Sequence, residues 1–368
     1  MSAHAGAIVV GGGPAGCAAA IGLARAGAPV TLLERERGPS AKVCGEFLSV
    51  EACEEARALG VDPEELGAAP IDRVRVTWRG TTVESRLPFR AQSLSRAAFD
   101  EALLVAAERA GARVERGARA VKFEEGRVSV RSGDALEERA ASAIVLATGK
   151  ADLAGVRREA PRARDALGFK MHLELEDREL AQLGTAVELT LLGGGYAGMQ
   201  RIEGKRVAFA AVVDRAAFAR FGSWRGLVAA LRSTDARLAR RLGNARELWA
   251  KPLAVSGVPY GFVYRDDAVA DTWCYRVGDQ LAVIPSFTGD GIAIALVSGS
   301  SAAAAIVRGE GAARFHAAMR RRLAKPMFVS GALSRAIASP AGRAAVVWPA
   351  SVIPAIFSQV AAHTRIAR

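Results

Sequence analysis

The stretch AIVVGGGPAGCAAAIGLARAGAPVTLLE, residues 7–34, decides the fold. Ala7 to Val10 are apolar, run into three glycines and read as a short buried strand. Pro14 then opens an alanine- and leucine-rich segment that stops at Gly27. Proline in the first turn and glycine past the last are the punctuation of a helix. PVTLLE, residues 29–34, reads as a second strand, so the whole is a β-α-β unit. Gly11, Gly13 and Gly16 fall in the GxGxxG spacing across its first turn. The first glycine permits the tight turn, the second lets backbone N–H groups approach a pyrophosphate, and the third lets helix pack on strand. Pro14 and Ala15 begin the helix whose N-terminus favours the phosphates. Glu34 follows Gly16 by eighteen residues, near the distance of about 20 at which a carboxylate meets a ribose 2′-hydroxyl. A dinucleotide site built from Gly11, Gly13, Pro14, Ala15, Gly16, Glu34 and the adjoining Arg35 is expected.

Outward from that unit, SLSRAAFDEALLVAAERAG reads as a capped helix, ARVERGARAVKFEEGRVSVRSG as alternating strands, and ASAIVLATG as a buried strand ending at Gly149. Residues 168–264 change character, with strand-like KMHLELE, TAVELTLL and RVAFAAVV and one helical piece around 216–242. DTWCYRVGDQLAVIPSFTGDGIAIALVSGSSAAAAIV then returns to strand, glycine turn and a long helix of small residues. The class is α/β. A discontinuous dinucleotide-binding domain is expected over 1–75, 95–165 and 265–325, a substrate domain over 76–94 and 166–264, and a C-terminal helical tail over 326–368.

Composition narrows the partners. Fifty Lys and Arg against 38 Asp and Glu leave a net charge of +12. Aromatics make up only 6% of the chain, too few for the basic–aromatic interleaving of a nucleic-acid surface. An arginine-rich solvated surface, an anionic substrate, a carrier protein and a membrane surface all remain compatible with the charge. Cys17, Cys44, Cys53 and Cys274 show no CxxC or Cys/His metal spacing, so neither metal nor disulfide is expected and a reduced cytoplasmic setting is. The opening residues lack the basic-then-apolar pattern of a signal peptide.

With the glycine motif in hand, three further segments carry a resemblance. Arg96 in SRAAFDEAL, Gly149 in ATG, and Gly278–Asp279 followed by the helix-opening TGDGIAIAL occur in the order found in the FAD-containing p-hydroxybenzoate hydroxylase and geranylgeranyl reductase superfamily. The chain resembles it over roughly residues 5 to 310. The resemblance implies a Rossmann-type, hydroxylase-type FAD-binding domain with an inserted antiparallel β-sheet substrate domain and C-terminal helices. It implies FAD as cofactor, with Asp279 on the ribitol, Arg96 by the flavin or pyrophosphate, the backbone of Val121 against the adenine, and Gly291 and Ile292 near the flavin N1–C2=O edge. A helix N-terminus there stabilises the negative charge of reduced flavin. NAD(P)H is the candidate electron donor.

In the reductase branch the segment after the Glu-bearing strand reads Lys-x-Cys-Gly followed by an acid or small residue. Lys42, Cys44, Gly45 and Glu46 match it. The match implies that Cys44 points to the ring or substrate cavity, giving a proton or shaping the pocket; a merely packed thiol is the alternative. Other segments depart from the family. The reductases' Tyr-x-Trp-x-Phe-Pro survives only as Tyr196, with Gly198, Gln200 and Arg201 at the other places. The hydroxylases' Asp-Gly pair is missing from ATGKADLAGVRR. The five tryptophans are isolated, unlike the Trp-x-Trp-x-Ile-Pro of flavin halogenases. The expected function is an FAD-dependent monooxygenase of secondary metabolism acting on a hydrophobic, aromatic or polyketide-type molecule. The alternatives are reduction or dehydrogenation of a C–C bond and a non-catalytic flavin-binding or carrier-docking protein. His172 alternates on a strand and reads as a satisfied core or surface residue or a cavity residue. In the tail, Pro349 and Pro354 are expected to break any spanning helix, leaving a lid over the substrate domain or a contact with a membrane or partner.

Overall fold

The computed structural model describes residues 6–124, 126–158, 166–265 and 273–353 and positions 362, 365 and 366. Its centre is a five-stranded parallel sheet in the order Cys274–Arg276, Ile144–Leu146, Ala7–Val10, Val30–Glu34, Arg113–Arg116. Two helices of small residues, Pro14–Arg25 and Gly291–Val307, pack on it at very close range. A Cβ on Gly299 would stand 2.1 Å from the Ala15 carbonyl oxygen, and one on Gly22 would stand 2.7 Å from the Ala303 Cβ. The alanines and glycines of both segments therefore answer a packing demand as well as a helical one. A three-stranded meander, Ala118–Glu124, Arg127–Ser132 and Ala135–Ala140, flanks the sheet.

The second layer is a nine-stranded sheet. Along its main path it is antiparallel except where Ala69–Trp78 runs parallel to Ala186–Leu192. Side chains alternate across it with period two. Phe169, Met171, Leu173, Val207, Phe209 and Ala211 point to a core shared with the helices Arg215–Phe221, Trp224–Arg232 and Ala236–Gly243, while Gly168, Ala208, Ala210 and Val212 line a cavity on the other face. Behind the sheet, Arg241 is fully buried between Glu179 and Glu188, and Arg75 meets Glu188 from the neighbouring strand.

Several expectations change in detail. The helical piece around 216–242 is three helices, because Ser223 and Asp235 each cap a fresh start by accepting N–H bonds from Gly226 and Leu238. The boundary placed at 75/76 falls inside the strand Ala69–Trp78, and that at 325/326 falls inside the helix Ala312–Ala338. Pro349 does not break the tail: it lies within the helix Pro340–Val352, whose neighbouring Val347 and Ala350 are buried. Tertiary packing offsets the lost hydrogen bond. Pro354 lies outside the described residues. Among the described residues no helix is long and apolar enough to cross a membrane.

Candidate active site

The two sheets enclose a cavity of about 990 Å³. One end is backbone. Gly11 adopts φ +110°, and a Cβ there would stand 2.5 Å from the Ala147 carbonyl oxygen. A Cβ on Gly16 would stand 1.8 Å from the Gly11 oxygen, so helix and turn touch without a side chain between them. Gly13 differs: a Cβ at that point would meet only the Arg96 guanidinium, at 3.6 Å. The space above Gly13 is a cradle walled by N–H groups and a fixed cation, the donor set a pyrophosphate requires. Arg96 is held there by a two-point ion pair with Asp100, both contacts 2.7 Å. The Glu34 carboxylate accepts the Gly12 and Glu36 N–H groups at 2.7 and 2.8 Å and faces the cavity. These residues fit the adenosine and pyrophosphate of FAD.

Of the residues singled out from the sequence, Gly11, Gly13, Pro14, Ala15, Glu34, Arg35, Lys42, Cys44, Arg96, Gly149, Asp279, Gly291 and Ile292 all line this cavity. Gly16 sits behind it as the packing glycine. Val121 does not line it; Ala118, Arg119 and Ala120 do. The register of the meander shifts between Ala120 and Lys122, so Val121 sits at an irregularity and the wall ends one residue earlier. Asp279 pairs with Lys150 at 3.4 Å, and its own carbonyl accepts the Arg158 guanidinium at 2.9 Å. Asp279 raises the Lys150 pKa, so that ammonium stays charged.

The loop after the Glu34 strand holds what the sequence did not disclose. Glu46 takes φ +62°, a left-handed conformation rare for a residue with a side chain, and is fully buried. Its Oε2 receives Lys170 Nζ at 2.6 Å and lies 2.9 Å from His172 Nε2, while its Oε1 accepts the Arg96 backbone N–H at 3.0 Å. Lys170 also donates to the Cys44 carbonyl, Gln200 to the Gly45 carbonyl, and Ser93 to the Glu46 carbonyl. Every backbone carbonyl from Cys44 to Glu46 is thus tied to the substrate sheet. Burial pushes the Glu46 carboxyl up, but Lys170 and His172 together outweigh it and hold the group below the ordinary carboxylate range. His172 is a satisfied buried histidine, tilted against Trp249 at 4.5 Å.

This clamp presents Cys44 to the cavity beside the Arg96 guanidinium. The other thiols are buried: Cys17 fully, Cys274 at the sheet edge, and Cys53, whose pKa burial pushes up to about 12. All four cysteines are free. Across the cavity, Tyr196 Oη lies 2.6 Å from Ser286 Oγ, which donates to Tyr260 Oη at 2.9 Å. Burial raises both tyrosines, so this chain of hydroxyls stays protonated. Beyond it the wall is aliphatic, with Val74, Val76, Leu87, Leu189 and Leu191 from the sheet and Leu333 and Ile337 from the last long helix. At the helix N-terminus that begins at Gly291, the fully buried Asp290 receives Arg365 at 2.7 Å, and Arg365 lies over Phe89 at 4.1 Å.

Residues 6–203 match the family described as pyridine nucleotide-disulphide oxidoreductase. Curated relatives include a digeranylgeranylglycerophospholipid reductase of Methanopyrus kandleri, 36% identical over 149 residues, covering 39% of this chain and 37% of that protein. A menaquinone reductase of Mycobacterium tuberculosis is 34% identical over 128 residues, covering 31% of this chain and 29% of that protein. These matches span only about a third of the relatives' length. Among solved structures, the flavin-dependent brominase Bmp2 superposes with a TM-score of 0.77 at 17% identity, over 99% of this chain and 95% of that one. A geranylgeranyl bacteriochlorophyll reductase-like protein from Thermoplasma acidophilum gives 0.77 at 19%, over 99% and 94%. At such identities the likeness is one of fold.

Proposed function

The chain belongs to the pyridine nucleotide-disulphide oxidoreductase family, and on that premise we propose that it is an FAD-dependent oxidoreductase acting on a large apolar molecule. The observation that carries the reading is the cavity's composition. It runs from a glycine and cation cradle at Gly13 and Arg96, past Cys44 and Asp279, to an aliphatic wall. Gly11 to Ala15, Glu34 and Arg96 would hold the adenosine diphosphate half of FAD, Asp279 the ribitol, and the helix N-terminus at Gly291 and Ile292 the pyrimidine edge of the ring. FAD supplies the two-electron chemistry when bound, with NAD(P)H as the candidate donor. The chain's own part is to exclude water, orient the substrate and place a proton. Cys44 and the Tyr196–Ser286–Tyr260 hydroxyls are the groups positioned to give one.

That inventory favours addition of hydrogen across a C–C double bond, which needs a proton from the wall, and the reductase relatives support it. Hydroxylation in secondary metabolism is the second reading. Its support is Gly198, Gln200 and Arg201, which leave the wall without the tryptophan and Phe-Pro that the reductases carry. The setting proposed is the cytoplasm, where four unbonded cysteines stay reduced.

One experiment separates the readings. Purified protein is reduced without oxygen, given a polyprenyl or an aromatic probe, and then exposed to ¹⁸O₂. Two hydrogens gained before oxygen enters support reduction; a labelled oxygen in the product supports hydroxylation. Released flavin other than FAD, or none, would sink both. Cys44→Ser should keep FAD and lose about 10²–10⁴-fold in turnover if the thiol gives the proton. Unchanged turnover would move that role to Tyr196.

A further inference from the structure

The charge of the chain is not evenly spread. Residues 311–368 contain nine Lys and Arg and not one Asp or Glu, so this last sixth supplies +9 of the net +12. Most of it sits on the helix Ala312–Ala338. Arg314, Arg321, Lys325, Phe328 and Arg335 recur at helical spacing and are all exposed, while Phe315, Met319, Leu323 and Met327 bury the opposite face. Among the described residues six large apolar side chains are conspicuously exposed, and three belong here: Phe328 at 72%, Trp348 at 64% and Ile353 at 58%.

The same two helices border the cavity. Leu333 and Ile337 from the first, and Ala345 and Val346 from Pro340–Val352, line it, and Ala345 is also exposed to solvent. Ala345 is thus one of the places where the cavity reaches solvent, as Gly38, Lys150 and Ser286 are elsewhere on its rim, and Trp348 stands three residues on, on the same side of the helix. Basic residues around an exposed aromatic, at one mouth of an apolar cavity, match the surface of a bilayer. Anionic headgroups take the arginines and the acyl boundary takes the aromatic rings. An acidic carrier protein would satisfy the charges but gives no reason to keep Phe328, Trp348 and Ile353 in water.

We propose that the outer face of these two helices docks on a membrane carrying anionic lipid, placing this mouth of the cavity against the bilayer so that an apolar substrate enters without crossing water. The docking is independent of which reaction the site performs, and its test needs no turnover.

Wild-type protein is co-sedimented with phosphatidylcholine vesicles with and without phosphatidylglycerol. Binding should require phosphatidylglycerol and fall steeply with salt. Arg321→Gln and Lys325→Gln should each weaken it about fivefold, the effect of one basic residue near such a surface. Phe328→Ser and Trp348→Ser should weaken it at every salt concentration. These side chains are exposed, so flavin content and thermal unfolding should match wild type. Brominated lipid should quench wild-type tryptophan fluorescence, and Trp348→Phe should lose that quenching; this reads insertion without a destabilising change. Equal binding to neutral vesicles, or none to either, would overturn the proposal. So would anionic binding that the aromatic changes leave intact, or retention on an acidic acyl carrier protein with no vesicle binding.

Discussion

The two sheets enclose one cavity by opposite means. The parallel sheet lines it with backbone: a Cβ on Gly11 or Gly16 would collide with main chain, whereas Gly13 keeps the cradle beside Arg96 open. The antiparallel sheet meets its ligand with side chains drawn from a small aliphatic set, in which one residue can replace another. The first arrangement tolerates little variation and suits a constant group. The second can be retuned strand by strand, and suits a variable substrate. Between them lies the 44–46 loop, tied to the nucleotide half by the Arg96 N–H and to the substrate half by Lys170, His172 and Gln200.

The sharpest way to break this comparison is Gly16→Ala. The added methyl would stand 1.8 Å from a carbonyl oxygen of the turn it packs on. Neither partner is a flexible side chain, so helix and strand must part. Loss of about 4 kcal/mol or more, the rare tail of single substitutions, should leave little folded flavoprotein. Normal yield and flavin content would show that the turn can give way, and that the nucleotide half is no stricter than its partner.

Next in size is Lys170→Met. It leaves the Glu46 carboxylate buried without its main counter-charge, at a cost of about 3–5 kcal/mol. The sign with pH follows from Glu46. Its folded-state pKa is depressed, so its contribution is complete above the ordinary carboxylate pKa of about 4.3 and is lost as pH falls through the lower folded value. Without Lys170, burial dominates and the carboxyl is pushed up instead, so protonation relieves the variant. Chemical unfolding of both proteins from pH 7 down to 4 should show the gap between them closing. A gap independent of pH would mean that Lys170 acts through packing alone.

Legibility followed the same division. The glycine turn, Glu34, Arg96 and Asp279 could be read because each lies in a local pattern of a few residues that dictates its own geometry. Ala120 lines the cavity and Val121 does not, because the register shift there is a property of the pairing with Arg127–Ser132, invisible along either strand. Glu46 belongs to a local motif with Lys42 and Cys44, yet its partners Lys170 and His172 lie more than 120 residues away. The alternation around His172 marks a strand residue; what lies opposite it is set by tertiary folding. Arg365 on Asp290 is of the same kind.

A moderate effect is expected at Asp279. Its carboxylate is partly exposed and caps no core element, so Asp279→Ala should fold as wild type. If it holds the ribitol, losing a charged hydrogen bond costs about 1.5–3 kcal/mol, which is about tenfold to hundredfold in FAD affinity. Flavin release on dilution measures this directly. An unchanged dissociation constant would assign the residue to the Lys150 pair alone.

The smallest effect on the fold, and the most telling for the comparison, is expected at Gly198. This glycine lies on a strand of the antiparallel sheet and lines the cavity. A Cβ there would meet Leu189 Cδ2 at 3.4 Å and the Glu188 carbonyl oxygen at 3.8 Å, both ordinary contacts. Its φ is not left-handed, so alanine fits the backbone and should gain about 0.5–1 kcal/mol from reduced chain entropy. Gly198→Ala should therefore be as stable as wild type or slightly more so and retain FAD. The methyl takes space from the substrate end, so KM for a bulky apolar probe should rise while that for a slender one stays put. Gly16 and Gly198 would then stand as one substitution with opposite outcomes in the two halves. If Gly198→Ala instead unfolds the protein, or alters all substrates equally, the antiparallel wall is as constrained as the nucleotide cradle and the division of labour between the sheets fails.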